Sequence, residues 1–560
     1  MNTSKLLPAA LGAASLFTGA SAQTLVDPDY FVETYASGLS GAVGMEFLSA
    51  STVLVTQKDT GQVRVVVNGV VDGTPALDLP VNNASERGLL GICKHPDFAK
   101  NGFVYLYWSR STTGGDTGVS ANWSDNRVER YVYNSGTLSL DSLIAIFSKD
   151  PAQNNGPNHD GGVIMIGPDQ KLYIITGDLN RNRAEQNNQG TPNLSAKVGG
   201  VHRLNLDGTI PGDNPFVGLG NTDFHPYYVY GVRNSYGMSW DPLTSKIWFT
   251  ENGPGSYDEV NHVPTPGMNS GWNELMGPDS RDPQGVGDLV MFTGAYYRDP
   301  EFSWLTPIAV TSIAWLTSSK FHGTERTHCV IGDANNGFLY LFQMNLARDG
   351  FVLSGGVADK VADSSAERDL NKWGSGFGIT TDLEIGQDGY LYGTSLTLGR
   401  IFRIRPVVES VVPTSFSLFR GVLISGNLQS LSASDDNRLV TRPGPVFTNA
   451  EAPIQLILTS TSPFVAPSAL SFKIESNCSV SNITQSVALY NFNTMSYETL
   501  NTGTAMTSDS TITINVSSDA ARFIGPDNEL RARISYKAQG TTFIYPWHSR
   551  IDHVQWTLTR

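Results

Sequence analysis

Short runs rich in Val, Ile, Tyr and Phe alternate along most of the chain with clusters of Gly, Asn, Asp and Pro, and apolar positions almost never recur with a helical period. This pattern predicts strands joined by tight turns, and so an all-β protein. One unit recurs. His95-Pro96-Asp97 precedes the apolar run Phe103 to Tyr107, Gly167-Pro168-Asp169 precedes Leu172 to Ile174, Asp241-Pro242-Leu243 precedes Ile247 to Phe249, and Gly386-Gln387-Asp388 precedes Leu391-Tyr392. Pro96, Pro168 and Pro242 are almost evenly spaced, and Gln387 follows about two periods later, with Gly337 to Leu341 in the gap as a mark for the missing unit. Repeats of this kind predict a β-propeller, with roughly six blades between residues 27 and 406. The period exceeds the roughly 40–50 residues of a compact blade, so long inter-blade loops are expected, gathered on one face.

Beyond Arg405 to Pro413, which reads as a linker, the pattern changes. Ile454 to Leu458, Ser471 to Ile474, Thr511 to Val516 and Leu530 to Tyr536 alternate or nearly alternate, and Ala488 to Leu500 reads as a hairpin around Asn493-Thr494. Residues 413–560 are therefore expected to form a β-sandwich. No chemical motif stands out there, and Tyr545, Trp547, His548 and Trp556 are assigned to its core. The remaining segment, residues 1–22, reads as a signal peptide: Lys5, a short apolar run from Leu6 to Thr18, and Ala20-Ser21-Ala22 as the cleavage site. That run is too short to span a bilayer, so a secreted or periplasmic protein with no membrane span is expected.

Charge narrows the partners. A net charge of −14 repels nucleic acid and anionic membranes, so neither is expected to bind. Cys93, Cys329 and Cys478 are far apart; they allow one disulfide in any of three pairings, or buried free thiols. Six Asn-X-Ser/Thr triplets, at Asn83, Asn122, Asn193, Asn477, Asn482 and Asn515, say little in a chain this rich in Asn and Ser.

The candidate chemistry centres on Asn158-His159-Asp160-Gly161-Gly162. This segment would put an imidazole at the open end of a sheet, where a general base can work. With Glu86-Arg87-Gly88-Leu89-Leu90-Gly91, His95-Pro96-Asp97-Phe98, Arg203 to Phe216, Gly231-Val232-Arg233-Asn234, Thr250 to Pro254 and Asp258-Glu259-Val260-Asn261, taken in order, it resembles the glucose/sorbosone dehydrogenase family over about residues 30–405. The resemblance implies a six-bladed β-propeller that binds pyrroloquinoline quinone and Ca2+ and oxidises a sugar hydroxyl, passing electrons to an external acceptor. It implies His159 as the base that removes the hydroxyl proton, and Arg233 and Asn234 as contacts to the quinone oxygens. It further implies Glu86 as a polar contact to cofactor or substrate, the carbonyls of Gly253 and Pro254 as calcium ligands, and Glu259 at a second calcium. The residue types suit these roles. A neutral imidazole accepts a proton, a guanidinium stays charged beside a quinone oxygen, and calcium takes oxygen ligands.

The match departs from the family in one respect. A lysine expected before Phe338-Leu339-Tyr340 is missing from Gly332 to Gly337, an arginine expected before Gly386 is missing from Gly378 to Asp382, and Val163 replaces an arginine. Each charge-assisted hydrogen bond to a cofactor carboxylate contributes about 1.5–3 kcal/mol, so losing several weakens binding by orders of magnitude. Arg181, Arg183 and Lys372 are the candidate replacements. Two readings follow: a secreted quinoprotein-type sugar dehydrogenase, or a propeller that lost the cofactor and binds a glycan or protein at the same mouth.

Overall fold

The computed structural model describes residues 22–148, 155–180, 188, 198–321, 323–540 and 544–560. The predicted signal segment, Asn193, and Arg181 and Arg183 lie outside the described residues. The chain is all-β and divides into two units, one ending at Arg405 and the other spanning Pro406–Arg560.

The described residues of the first unit form six sheets. In chain order they begin with the strands Ala42–Phe47, Leu89–Lys94, Ile164–Ile166, Gly237–Asp241, Val310–Leu316 and Thr380–Ile385. Each beginning strand is followed by antiparallel partners, as in Leu89–Lys94 with Phe103–Ser111, Trp123–Asn134 and Thr137–Ser148. The last sheet is completed by the N-terminal strand Tyr30–Ser37, which lies beside Arg400–Pro406. The six beginning strands neighbour one another in cyclic order, and Thr380–Ile385 meets Ala42–Phe47. Their apolar side chains and those of the strands behind them fill separate cores between adjacent sheets, such as Leu90, Tyr105, Tyr107, Ile164 and Ile174.

Two of the repeated turns share one hydrogen-bonded staple. Asp169 Oδ2 accepts from the Tyr173 hydroxyl at 2.9 Å and from Arg203 Nε at 2.9 Å, and Arg203 is the register partner of Tyr173 on the next strand. The same staple recurs at the last sheet: the Tyr392 hydroxyl donates to Asp388 Oδ2 at 2.7 Å, and Arg403, opposite Tyr392, donates to its hydroxyl at 3.0 Å. A turn carboxylate thus ties three strands together, and burial of the Tyr bodies adds apolar area. The segment Gly337 to Leu341 is out of phase with this series. It opens the strand Phe338–Gln343, third in its sheet, whereas the other marks open second strands. The turn before Thr52–Gln57 lacks Pro and Asp altogether, which is why the first sheet leaves no mark.

The second unit holds two antiparallel sheets. One orders Val422–Ser425, Leu439–Arg442, Ser549–Thr559, Ala469–Cys478 and Ser510–Val516; the other orders Ser415–Arg420, Ile454–Thr461, Glu529–Ala538, Ile483–Asn491 and Ser496–Ala505. Period-2 burial along Ala469–Cys478 and Glu529–Ala538 gives each sheet one apolar face. Trp547 and Trp556 are buried, whereas His548 is half-buried and Tyr545 is exposed, contrary to their assignment to the core: of the loop before the final strand, only Trp547 among these three turns fully inward. The three cysteines are buried free thiols. Among the described residues no helix is long and apolar enough to cross a membrane.

Candidate active site

A cavity of about 2250 Å³ is lined by the six beginning strands and the loops that enter them. Three of those loops carry the residues singled out from the sequence. Glu86 precedes Leu89–Lys94, His159 precedes Ile164–Ile166, and Arg233-Asn234 precede Gly237–Asp241. All four residues line the cavity, together with Asn252, Gly253 and Pro254.

Glycines let these loops converge. Gly161 and Gly162 have φ of +62° and +112°, and the Gly162 amide donates to Ile175 O at 2.9 Å, so the chain turns from His159 into its strand. A Cβ on Gly177 would lie 2.3 Å from the carbonyl oxygen of His159 and 2.8 Å from that of Arg233. Only a glycine admits both backbones, and the next two residues pin them: Leu179 N donates to His159 O and Asp178 N to Arg233 O. The end of the strand Leu172–Thr176 is thus the hinge pin of the site.

His159 itself sits in the left-handed region, at φ +64°. Its amide donates to Glu86 Oε2, and its Nδ1 lies 2.7 Å from Asp178 Oδ1. Asp178 is buried and also accepts from Trp272 Nε1 at 2.8 Å and from Asn180 N at 2.7 Å. With Trp272 Nε1 and Asn180 N aimed at its oxygens, Asp178 is placed as a carboxylate acceptor. The contact matches the neutral tautomer that carries its hydrogen on Nδ1, with Nε2 as the acceptor nitrogen. Glu86 Oε2 additionally accepts from Asn234 Nδ2 at 3.1 Å, so one carboxylate joins the histidine loop to the Arg233-Asn234 loop.

Arg233 is fixed at three points. Its amide donates to Glu251 Oε1 at 2.6 Å, its Nη1 donates to Asn252 O at 2.7 Å, and its guanidinium stands 5.4 Å from the Trp272 ring. Among the described residues, Arg233 Nε and Asn234 Oδ1 are buried without a hydrogen-bond partner. Two orphaned polar atoms, one donor and one acceptor, beside a base are a physical signature of a polar ligand's place. Gly253 is held from below: its amide donates to Asp258 Oδ1 at 3.0 Å, while Asp258 Oδ2 accepts from Ile308 N and Val310 N. Burial pushes the Asp258 carboxyl up to about 6 in spite of these donors.

Glu259 is not brought to the cavity with Gly253 and Pro254. It lies opposite Glu251 in the strand register, and both are buried. Burial pushes Glu251 up to about 7 and Glu259 well above the usual carboxylate range, the charge of Glu251 adding to the latter. Among the described residues no group of three or more His, Cys, Asp or Glu side chains is arranged to hold a metal.

The opposite wall, Ala334 to Phe338 with Gly378, Ile379, Thr381 and Thr397, offers amides and hydroxyls and no cation. Lys372 is paired with Asp369 at 3.0 Å and lies 4.9 Å from the ring of Phe338, behind that wall. Arg368 lies on the same ring and donates to Asn336 Oδ1 at 3.1 Å. At the mouth, Lys58 lines the cavity but is paired with Asp59. Sequence reasoning missed Asp178, Trp272 and Glu251. Asp178 could have been found from the Thr-Gly-Asp that closes an apolar strand just after the histidine strand; Trp272 and Glu251 carry no local signal.

Comparison with known proteins gives the chain a family. The family model described as glucose/sorbosone dehydrogenase matches residues 39–394, and a domain of unknown function matches residues 423–549. The chain is 32% identical to quinoprotein glucose dehydrogenase B of Acinetobacter calcoaceticus over 241 residues, 40% of this chain and 48% of that one, and so spans about half the length of that relative. It is 27% identical to aldose sugar dehydrogenase YliI of Escherichia coli over 331 residues, 57% of this chain and 78% of that one. A solved putative oxidoreductase (glucose dehydrogenase) from Thermus thermophilus superposes with a TM-score of 0.52 at 25% identity, covering 67% of this chain and 99% of that one. The chain belongs to the glucose/sorbosone dehydrogenase family.

Proposed function

We propose that the protein is a quinoprotein-type dehydrogenase that oxidises a sugar or related alcohol, with His159 as the general base. The observation that carries this reading is the His159–Asp178 pair, set beside the orphaned Arg233 Nε and Asn234 Oδ1 in one cavity. The six sheets in cyclic order support a six-bladed propeller around that cavity, and the two sheets of the second unit support a sandwich. Residues 27–406 and 413–560 are proposed as the corresponding domains, behind an export signal at residues 1–22.

The donor set fits pyrroloquinoline quinone on the side of the base. Arg233 and Asn234 supply a guanidinium and an amide for the quinone oxygens, and the carbonyls of Gly253 and Pro254 would hold a calcium ion against it. When bound, the quinone would supply the two-electron acceptor for the hydride of the carbinol carbon. The chain's own work is to remove the hydroxyl proton. His159 Nε2 accepts it, and the imidazolium formed is stabilised through Nδ1–H by the buried Asp178 carboxylate. Arg233 places positive charge where negative charge develops. The proton leaves with the base and the electrons pass on to an external acceptor, so the alcohol becomes a carbonyl.

The test is to titrate the mature protein with pyrroloquinoline quinone and calcium, follow the quinone absorption, and add aldoses with an artificial acceptor. Calcium-dependent binding with bleaching on sugar addition supports the reading, and His159→Ala should then bind cofactor but not oxidise sugar. A cation-free opposite wall favours a second reading, a mouth that binds a glycan or protein without a cofactor. Absence of binding at tens of micromolar quinone selects it.

A further inference from the structure

The segment that carries His159 is held by a second set of buried charges that the proposed chemistry does not use. Arg87 is fully buried, with its guanidinium 4.1 Å from the Trp123 ring. Its Nη2 donates to Gly156 O at 2.7 Å and to Asn155 O at 3.3 Å, three and four residues before His159. Its Nη1 donates to Ser120 O at 3.1 Å. On the other flank its Nε stands 3.5 Å from Oδ1 of Asp160, the residue that directly follows the base.

Asp160 is equally buried and has its own anchors. Its Oδ1 accepts from Asn126 Nδ2 at 2.8 Å, its backbone carbonyl accepts from the Tyr107 hydroxyl at 2.9 Å, and Asn126 Oδ1 takes the Trp123 indole N–H at 3.0 Å. One guanidinium therefore spans the base-bearing loop, hydrogen-bonded to it before and ion-paired with it after a residue in left-handed backbone geometry. Such a conformation is disfavoured for a residue with a Cβ, and persists only where the surroundings over-determine it. The next residue back, Glu86, holds the His159 amide, so residues 86 and 87 together fix the loop's backbone.

We infer that Arg87 and Asp160 are positioning residues for the base: their buried pair holds residues 155–160 so that the His159 imidazole meets Asp178 and presents Nε2 to the substrate. The inference rests on the dehydrogenase reading above for its kinetic consequence, but not for its structural one. A buried ion pair is weak evidence of stabilisation in its own right, since an apolar or neutral pair of similar volume is often as stable. Removing both charges together thus separates positioning from folding.

The experiment compares wild type with Arg87→Met/Asp160→Asn and with Arg87→Lys, which keeps the charge beside Asp160 but cannot reach both flanks. Circular dichroism establishes the fold. The downfield proton resonance of His159 Nδ1–H, quinone affinity, and kcat and KM are the readouts. Positioning predicts a broadened or lost downfield resonance and a kcat reduced tenfold or more in both variants, with KM and quinone affinity within about threefold of wild type. Folded variants that keep the resonance and the wild-type kcat overturn the inference and leave a purely structural pair. If the wild type oxidises no sugar, the dehydrogenase reading has failed, and the resonance alone decides whether the pair positions His159. Amide exchange in the unmodified protein guards against variants that do not fold: His159 and Gly162 amides must be strongly protected, and fast exchange there overturns the inference.

Discussion

Asp178→Asn is the sharpest perturbation of the proposed chemistry. Among the described residues, His159 Nδ1 and Asn180 N meet the carboxylate at Oδ1, and Trp272 Nε1 at Oδ2. An amide has one acceptor oxygen. If its oxygen faces His159 and Asn180, its NH2 opposes the indole N–H; if it faces Trp272, its NH2 opposes the imidazole and favours the wrong tautomer. In both orientations the negative charge that stabilises the imidazolium is gone. A hydrogen bond to a charged partner contributes about 1.5–3 kcal/mol, so kcat should fall roughly 10- to 150-fold at 1.4 kcal/mol per decade. Quinone affinity should change less than kcat, because Asp178 acts on Arg233 indirectly, through the backbone bond to Arg233 O and through the Trp272 ring. Steady-state oxidation of an aldose with an artificial acceptor, with quinone titration in parallel, measures both. A folded variant with kcat within threefold of wild type would refute the assignment of His159 Nε2 as the base.

Other consequences are open to direct measurement. Gly177→Ala forces a Cβ against two backbone carbonyls that cannot retreat separately, so it should lower stability by about 1–3 kcal/mol and lose quinone binding; a variant with wild-type melting and binding would refute the hinge-pin role. Burial raises Asp160 and Asp258 to about 6 and Asp382 to about 7, so the folded state holds protons the unfolded chain has released above its ordinary carboxylate pKa. These groups make stability fall as pH rises from about 4 through 7, and the thermal midpoint should be higher at pH 5 than at pH 8; a flat or rising midpoint would contradict it. If the Gly253 and Pro254 carbonyls hold calcium against the quinone, chelation should abolish quinone binding while leaving the melting temperature of the cofactor-free protein unchanged. Tyr173→Phe removes one donor of the Asp169 staple and should cost about 1 kcal/mol in denaturant unfolding without altering activity.

Local order was legible because strands and turns are dictated locally. Alternation and Pro-Asp turns revealed an all-β chain, the change of style after Arg405, and a period of which the turns at Asp169 and Asp388 share an Asp–Tyr–Arg staple. His159 stands out from the residues themselves, between polar neighbours and ahead of a glycine pair, whereas Arg233 and Asn234 are singled out only by the family resemblance. What no local pattern could show is which loops converge. Asp178 looks like a strand end until Gly177 places it between two loops. Glu86 becomes a bridge only when residues 86, 159 and 234 meet, and Glu259 is drawn away from Gly253 because adjacent positions on a strand face opposite sides. Arg87 and Asp160 are 73 residues apart in sequence, and only packing of the second sheet against the third buries them as a pair. Backbone periodicity is a property of neighbouring residues. Hydrogen-bond partners and burial, which make a histidine a base, depend on segments that only the folded chain brings together.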